Sequence, residues 1–304
     1  MITTDLQLAR TLLENGGVIG LPTETVYGLA GNAFDEAAIK KIYAIKQRPA
    51  TNPLIVHVAS IDQVDSFVQA IPLPLRKLAE RFWPGPLTLL LEKTDKIPDI
   101  ITAGSNRVAI RVPDHPVAIE LLRQLSFPLV APSANPYTRI SPTRAEQVEE
   151  YFGDAIDCVL QGGACKKGLE STIVGMEGNK VIVYRLGALS IEQLQEVVGP
   201  ITIRNQADQP MLAPGMAKKH YSPRTPLRLV ENIERYRSEH PEERIGVLFE
   251  GTESPEQIAP SFYQKLQEMD QLEYDRLIVR LFPDEGLGRV LNDRLRRAAQ
   301  PKPS

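Results

Sequence analysis

Cysteine is nearly absent from this sequence. Cys158 and Cys165 are the only two, seven positions apart with no histidine nearby, which excludes the usual zinc spacings and a secreted disulfide framework and fits a reducing cytoplasm. Long apolar runs are missing too. No segment reaches about 18 apolar residues, and the opening Met1-Ile2-Thr3-Thr4-Asp5 has neither the basic stretch nor the apolar run of a signal peptide. Neither membrane spanning nor secretion is expected. Excess positive charge is lacking: 35 Lys+Arg stand against 38 Asp+Glu, a net charge of -3, with no basic stripe interleaved with aromatics. That weighs against an RNA-binding module while leaving room for a local basic pocket. There is no G-x-x-x-x-G-K-S/T, no G-x-G-x-x-G after a strand, no G-x-S-x-G and no H-E-x-x-H, so the common nucleotide and hydrolase signatures do not apply. Internal repeats and low-complexity tracts are absent as well.

What is present is a chain of 304 residues, 42% hydrophobic and 24% charged, enough for substantial cores and longer than one domain usually runs. Its 25 prolines lie mostly beside polar residues, a pattern of shaped loops. Periodicity predicts helices over 5–15, 35–46, 74–82, 116–126 and 143–151. Strands are predicted over 18–21, 54–58, 87–91, 107–112, 129–131, 156–160, 171–174 and 180–185. The alternation implies an α/β fold, a twisted sheet with flanking helices, over residues 1–200. Residues 201–226 show little periodicity and hold Pro210, Pro214, Gly215, Pro223 and Pro226, so they read as a linker. Within it, 213–223 carries Lys218, Lys219, His220 and Tyr221, side chains suited to phosphate and adenine contacts, and reads as a lid over a nucleotide or as a passive spacer whose basic residues are solvated. A smaller α/β domain follows over 227–304, with strands at 227–230, 245–249 and 277–279 and a last helix over 287–299.

Polar clusters interrupt the apolar strands. Pro22-Thr23-Glu24-Thr25-Val26-Tyr27-Gly28 offers donors and acceptors at the mouth of a sheet, or is a polar turn with a helix cap. Lys46 and Arg48 suit a polyphosphate, or form a solvated helix end. His57 inside an apolar strand is either a satisfied core histidine or a ligand contact. Arg111 alternates with Ile110 and Val112, where a charge is expensive unless paired, so its partner is a bound anion or a structural carboxylate. Ser133 and Asn135 follow a buried strand directly. Ser141 and Thr143 suit a ligand or a cap, the cap being favoured for Thr143. In Gly168-Leu169-Glu170-Ser171-Thr172-Ile173, glycine permits close approach while Ser171 and Thr172 lie at a strand edge, with a hairpin loop as the plain alternative. Arg185 is a further charge among apolar neighbours.

Taken together, Pro22-Thr23-Glu24-Thr25-Val26-Tyr27-Gly28-Leu29, Lys46-x-Arg48 with Asn52-Pro53-Leu54-Ile55-Val56-His57, Phe82-Trp83-Pro84-Gly85-Pro86-Leu87-Thr88, Ala131-Pro132-Ser133-Ala134-Asn135 and Gly168-Leu169-Glu170-Ser171-Thr172-Ile173 resemble the YrdC-like threonylcarbamoyl-AMP synthases in order and spacing. Residues 214–223 resemble the linker of the family's long form, and Asn292-Asp293-Arg294-Leu295-Arg296-Arg297-Ala298-Ala299 its C-terminal helix. The resemblance implies a YrdC-like mixed sheet followed by a smaller Rossmann-like domain. It implies that L-threonine, bicarbonate or CO2, and ATP with Mg2+ give threonylcarbamoyl-AMP and pyrophosphate, for use by tRNA threonylcarbamoyl-transfer machinery. Thr25, His57, Arg111, Ala131 and Ser171 would surround threonine, and Arg48, Asn52, Ser133, Ser141, Arg185 and Tyr221 would surround ATP. Lys46 and Arg48 with Ser133 and Asn135 would form the catalytic set. A carbamoyl-adenylate-forming enzyme of hydrogenase maturation uses a similar domain, but its acylphosphatase-like and zinc-finger segments have no counterpart here. Gln161 stands where the family commonly has aspartate, and Arg107 where a smaller polar residue is frequent.

Overall fold

The computed structural model describes residues 1–204, 221–250 and 253–300. Strands Ile2–Thr3 (β1), Ile19–Leu21 (β2), Gly28–Asn32 (β3), Ile55–His57 (β4), Leu87–Glu92 (β5), Arg107–Arg111 (β6), Leu129–Val130 (β7), Cys158–Leu160 (β8), Thr172–Glu177 (β9), Lys180–Arg185 (β10) and Ile201–Ile203 (β11) form one mixed sheet. Their order is β1-β8-β2-β3-β7-β4-β6-β5-β9-β10-β11. Among its central strands β4 and β6 run parallel with His57 opposite Arg111, while β7 is antiparallel to both β3 and β4.

Alternation along these strands sorts side chains onto two faces. Val56, Ile110, Val130 and Val174 join Leu75 and Leu78 of helix Leu73–Phe82 and Ile39 and Ile42 of helix Glu36–Lys46 in the largest apolar core. Each such aliphatic side chain stabilises the fold by about 1.5–3 kcal/mol on burial. On the opposite face Ile19, Leu21, Leu129 and Ala131 pack under helices Leu6–Glu14 and Pro116–Gln124. Ile55, Ala109, Ile173 and Ile182 make a smaller cluster farther along the sheet. Asp5 and Asp35 cap their helices by accepting from backbone N–H groups, which is why those helices start where they do.

The C-terminal residues build a second sheet, parallel throughout, from Leu227–Leu229 (β12), Ile245–Val247 (β13) and Arg276–Val279 (β14), in the order β12-β14-β13. Helices Phe262–Asp270 and Gly286–Ala298 carry Phe262, Leu266, Leu291 and Leu295 into the same apolar core that holds Leu186 and Leu189 of the first part.

Sequence periodicity missed three strands of the large sheet, one of them the two-residue Ile2–Thr3, which pairs in parallel with β8. Gly28-Leu29-Ala30-Gly31-Asn32 has little intrinsic strand preference, and β3 exists because β2 and β7 pair with it on both sides. Ile201–Ile203, inside the aperiodic stretch, pairs in parallel with β10. Most of the segment read as a lid lies outside the described residues; Tyr221, Ser222 and Pro223 are within them. Among the described residues no helix is long and apolar enough to cross a membrane.

Candidate active site

The connection from β2 to β3 lies against the turn that follows β7. Tyr27 N donates to Pro142 O, Leu29 N to Pro132 O at 2.7 Å and Ala134 N to Tyr27 O at 2.7 Å. This zipper places Thr23, Glu24 and Thr25 beside the end of β6. There Arg111 Nη1 donates to Thr25 Oγ1 at 2.8 Å and Nη2 pairs with Glu24 Oε1 at 2.5 Å, both side chains being buried. Glu24 Oε2 also accepts from Asp114 N, so the carboxylate is used on both oxygens. Of the two partners the sequence allowed for Arg111, the structure holds the carboxylate; its buried Nε is left without a hydrogen bond among the described residues.

His57, opposite Arg111 across β4 and β6, sets Nδ1 3.2 Å from Ile55 O. A carbonyl only accepts, so Nδ1 carries the proton and Nε2 is the acceptor. Burial, then the neighbouring Arg111 charge, push the His57 pKa down to about 3, which makes this ring neutral at pH 7.

Helix Glu36–Lys46 ends in Gln47, whose left-handed φ of 52° turns the chain so that Arg48 N bonds back to Tyr43 O. Arg48 then holds its own loop. Its Nε donates to Asn52 O at 3.2 Å, and its Nη2 to Asn52 Oδ1 at 2.5 Å and Pro53 O at 2.8 Å. Burial lowers the Arg48 pKa to about 10. Lys46 points the other way, and its ammonium donates to the carbonyls of Ser133 and Asn135, both at 2.5 Å. Burial first, and Arg48 second, hold its pKa well below the usual lysine range. Beyond β9, Arg185 donates to Ser171 O and to Ser171 Oγ at 2.9 Å, and Ser171 Oγ lies 2.7 Å from Thr88 Oγ1. Burial, above all, lowers the Arg185 pKa.

Several of these groups converge on one cleft. Arg48, Arg111 and Arg185 line it together with Thr25, His57 and Ser171. Among the described residues the one carboxylate in its lining is Glu170, which accepts from Ser141 Oγ at 2.7 Å. The arrangement suits a substrate rich in negative charge, held by buried guanidiniums and hydroxyls.

A family model described as "Telomere recombination" (Sua5, YciO, YrdC) matches residues 11–187, and one described as "Threonylcarbamoyl-AMP synthase, C-terminal domain" matches 189–300. The chain belongs to the threonylcarbamoyl-AMP synthase family. The curated threonylcarbamoyl-AMP synthase of Pyrococcus abyssi is 36% identical over 97% of this chain and 94% of that protein. The one from Bacillus subtilis is 37% identical over 98% and 94%. The crystal structure of P. abyssi Sua5 complexed with L-threonine superposes with a TM-score of 0.91 at 35% identity, covering 97% of this chain and 94% of that one.

Of the residues singled out in the sequence, Thr25, Arg48, His57, Arg111, Ala131, Ser133, Ser171, Arg185 and Tyr221 line the cleft. Lys46, Asn52, Asn135 and Ser141 stand behind it, each bonded to a lining residue or its loop. Lys46 therefore buttresses the Ser133 turn, where the sequence had suggested a phosphate contact. Asn52 Nδ2 and Asn135 Oδ1 are buried without a partner among the described residues, as is Arg111 Nε. Sequence reasoning passed over Glu170. It also gave no role to Tyr263 and Arg294, which reach that carboxylate from 93 and 124 positions away. The only signal in the sequence was a glutamate inside the buried run Leu169-Glu170-Ser171-Thr172.

Proposed function

We propose that the cleft makes threonylcarbamoyl-AMP and pyrophosphate from L-threonine, bicarbonate or CO2, and ATP, which makes the chain a nucleotidyltransferase. The observation that carries this reading is the set of buried guanidiniums of Arg48, Arg111 and Arg185 around one cleft with neutral His57, in a chain that matches threonylcarbamoyl-AMP synthases over nearly its full length. The neutral threonine nitrogen forms a bond to the carbon of CO2 and releases one proton to solvent, leaving a carbamate anion. A carbamate oxygen then forms a bond to the α-phosphorus of ATP, the bond from that phosphorus to the α,β-bridging oxygen breaks, and its electron pair leaves with pyrophosphate. No protein nucleophile is required. Positioning and charge neutralisation supply the catalysis.

In this reading Thr25, His57, Arg111, Ala131 and Ser171 receive threonine. His57 Nε2 accepts a hydrogen bond from the amino acid's hydroxyl or nitrogen, and Arg111, already neutralised by Glu24, offers Nε to its carboxylate. Arg48, Ser133 and Arg185 face the triphosphate, while Asn52, Ser141 and Lys46 hold them in place. Mg2+ enters with ATP on its phosphates; among the described residues no group of His, Cys, Asp or Glu gathers to hold it. The product supplies the tRNA threonylcarbamoyl-transfer machinery, and the buried free thiols of Cys158 and Cys165 suit work in a reducing cytoplasm. Pyrophosphate release, measured with threonine, bicarbonate and ATP and with each omitted in turn, tests the reading. Release should require all three. Release that ignores threonine overturns it.

A further inference from the structure

Glu170 is a buried carboxylate in the wall of the cleft, and it belongs to a network that the reaction scheme above leaves unused. Ser141 Oγ donates to Oε1 at 2.7 Å, the Tyr263 hydroxyl lies 2.9 and 2.8 Å from the two oxygens, and Arg294 Nε donates to Oε2 at 3.0 Å. Two of these three donors come from C-terminal helices, Tyr263 from Phe262–Asp270 and Arg294 from Gly286–Ala298. Arg294 is fully buried, and its other nitrogens are assigned: Nη2 donates to Leu186 O at 2.6 Å and Nη1 to Asp293 Oδ2 at 2.5 Å. Its guanidinium carbon lies over the Tyr221 ring, 4.7 Å from the centroid, and Tyr221 stacks on Tyr263 with centroids 5.6 Å apart.

Apolar side chains already join these helices to the first part of the chain. A buried ion pair adds little to such a joint, since well-packed apolar replacements are often as stable or more so. What the pair does accomplish is local to the cleft. It fixes a carboxylate whose other contact is Ser141 and whose charge acts on Arg185.

We propose that Arg294 and Tyr263 are positioning residues for the synthase reaction, completing the ATP part of the site from the C-terminal part of the chain by fixing Glu170, and through it Ser141 and Arg185. The proposal rests on the reading of the cleft given above. Glu170 has the electrostatics for the task. Burial alone would raise its carboxyl pKa, but Arg294, Arg185 and Ser141 together bring it below the ordinary value, so it stays an anion.

The test uses the full chain and two conservative variants. Tyr263→Phe removes one hydroxyl and keeps the ring stacked on Tyr221; Arg294→Lys keeps the charge and loses the planar fork. Calorimetry gives the affinities for threonine and for α,β-methylene-ATP, steady-state pyrophosphate release gives KM and kcat, and thermal unfolding gives the midpoint. Tyr263→Phe should raise the KM for ATP about five- to tenfold, the scale of one ordinary hydrogen bond felt through the carboxylate it positions. Affinity for threonine should stay within about twofold, and the midpoint within about 3 °C. Arg294→Lys should weaken ATP binding by more than about tenfold, and the double variant should be little worse than Arg294→Lys alone, because both act through one carboxylate. An unchanged KM for ATP in Tyr263→Phe overturns the proposal. So do parallel losses of threonine and ATP affinity with a lowered midpoint, which would mark a merely structural pair. If Arg294→Lys fails to fold, Tyr263→Phe decides alone. Failure of the functional reading shows separately, as threonine-independent pyrophosphate release by the unaltered protein.

Discussion

Arg111→Ala would strand Glu24 as a buried carboxylate with no countercharge, since Arg111 Nη2 is its ion-pair partner. Breaking such a pair from one side costs about 3–5 kcal/mol. Urea unfolding should show a loss of that size, and calorimetry should show threonine affinity gone. A variant that keeps its threonine affinity while losing stability would make Arg111 a scaffold residue. His57 gives a pH signature. Its folded pKa of about 3 lies below the 6.5 of an ordinary histidine, so between those values the unfolded chain binds a proton that the folded chain does not. Stability therefore falls with falling pH, by up to about 1.4 kcal/mol per pH unit from this residue, and this contribution fades as pH rises through about 6.5. His57→Gln should flatten that acid limb in unfolding titrations from pH 7 to 4, and an unchanged slope would mean that His57 is not buried neutral. Both residues stood out in the sequence for one reason: a titratable side chain between apolar neighbours in a strand needs a polar partner, within the core or in a ligand. Lys46 shows the limit of that reasoning. Its charge was visible, but the carbonyls of Ser133 and Asn135 that occupy it are 87 and 89 positions away, and only the fold brings them to it.

The loop before β9 offers a comparison between two glycines. Gly163 and Gly168 both have left-handed φ values, 75° and 66°, so alanine is strained at either, by about 1–2 kcal/mol. At Gly163 a methyl group would meet nothing within 4 Å, whereas at Gly168 it would meet Ala259 O and Pro260 O, both at 2.4 Å. Gly168→Ala should therefore cost about 1–3 kcal/mol beyond Gly163→Ala, lower the thermal midpoint further, and weaken turnover by displacing Glu170 and Ser171. Equal effects of the two substitutions would mean that the C-terminal part does not press on this loop. The same elements show which parts of the fold could be read in advance. Strands made of continuous apolar runs, such as Leu87–Glu92 and Lys180–Arg185, announce themselves because both of their faces are covered. Gly28–Asn32 does not, because its pairing partners make it a strand and its own side chains do not. The α/β character of the C-terminal part was visible as three short apolar runs, but the helix Phe262–Asp270 that carries Tyr263 was not singled out.

One apolar core holds Val56 and Ile110 of the large sheet together with Leu227, Leu248, Phe262 and Leu295 of the C-terminal part. Parts that share a core lose it together, so the full chain should unfold in a single transition. Trp83, the only tryptophan, lies beside the large sheet with its indole N–H on Leu87 O at 2.7 Å, and so reports on that region. Its fluorescence and the far-ultraviolet circular dichroism of the whole chain should trace the same urea curve; two separated curves would show that the C-terminal part melts independently. The division of Glu170 from Tyr263 and Arg294 bears on hybrids between members of the family. A chimaera joined between residues 187 and 189, where the two family matches meet, would preserve every strand yet transplant the carboxylate without two of its three donors. Fused halves of different parentage would then fold and still work poorly unless the tyrosine and arginine came from the same parent as the glutamate, so that ancestry would have to be exchanged across the join as a matched set.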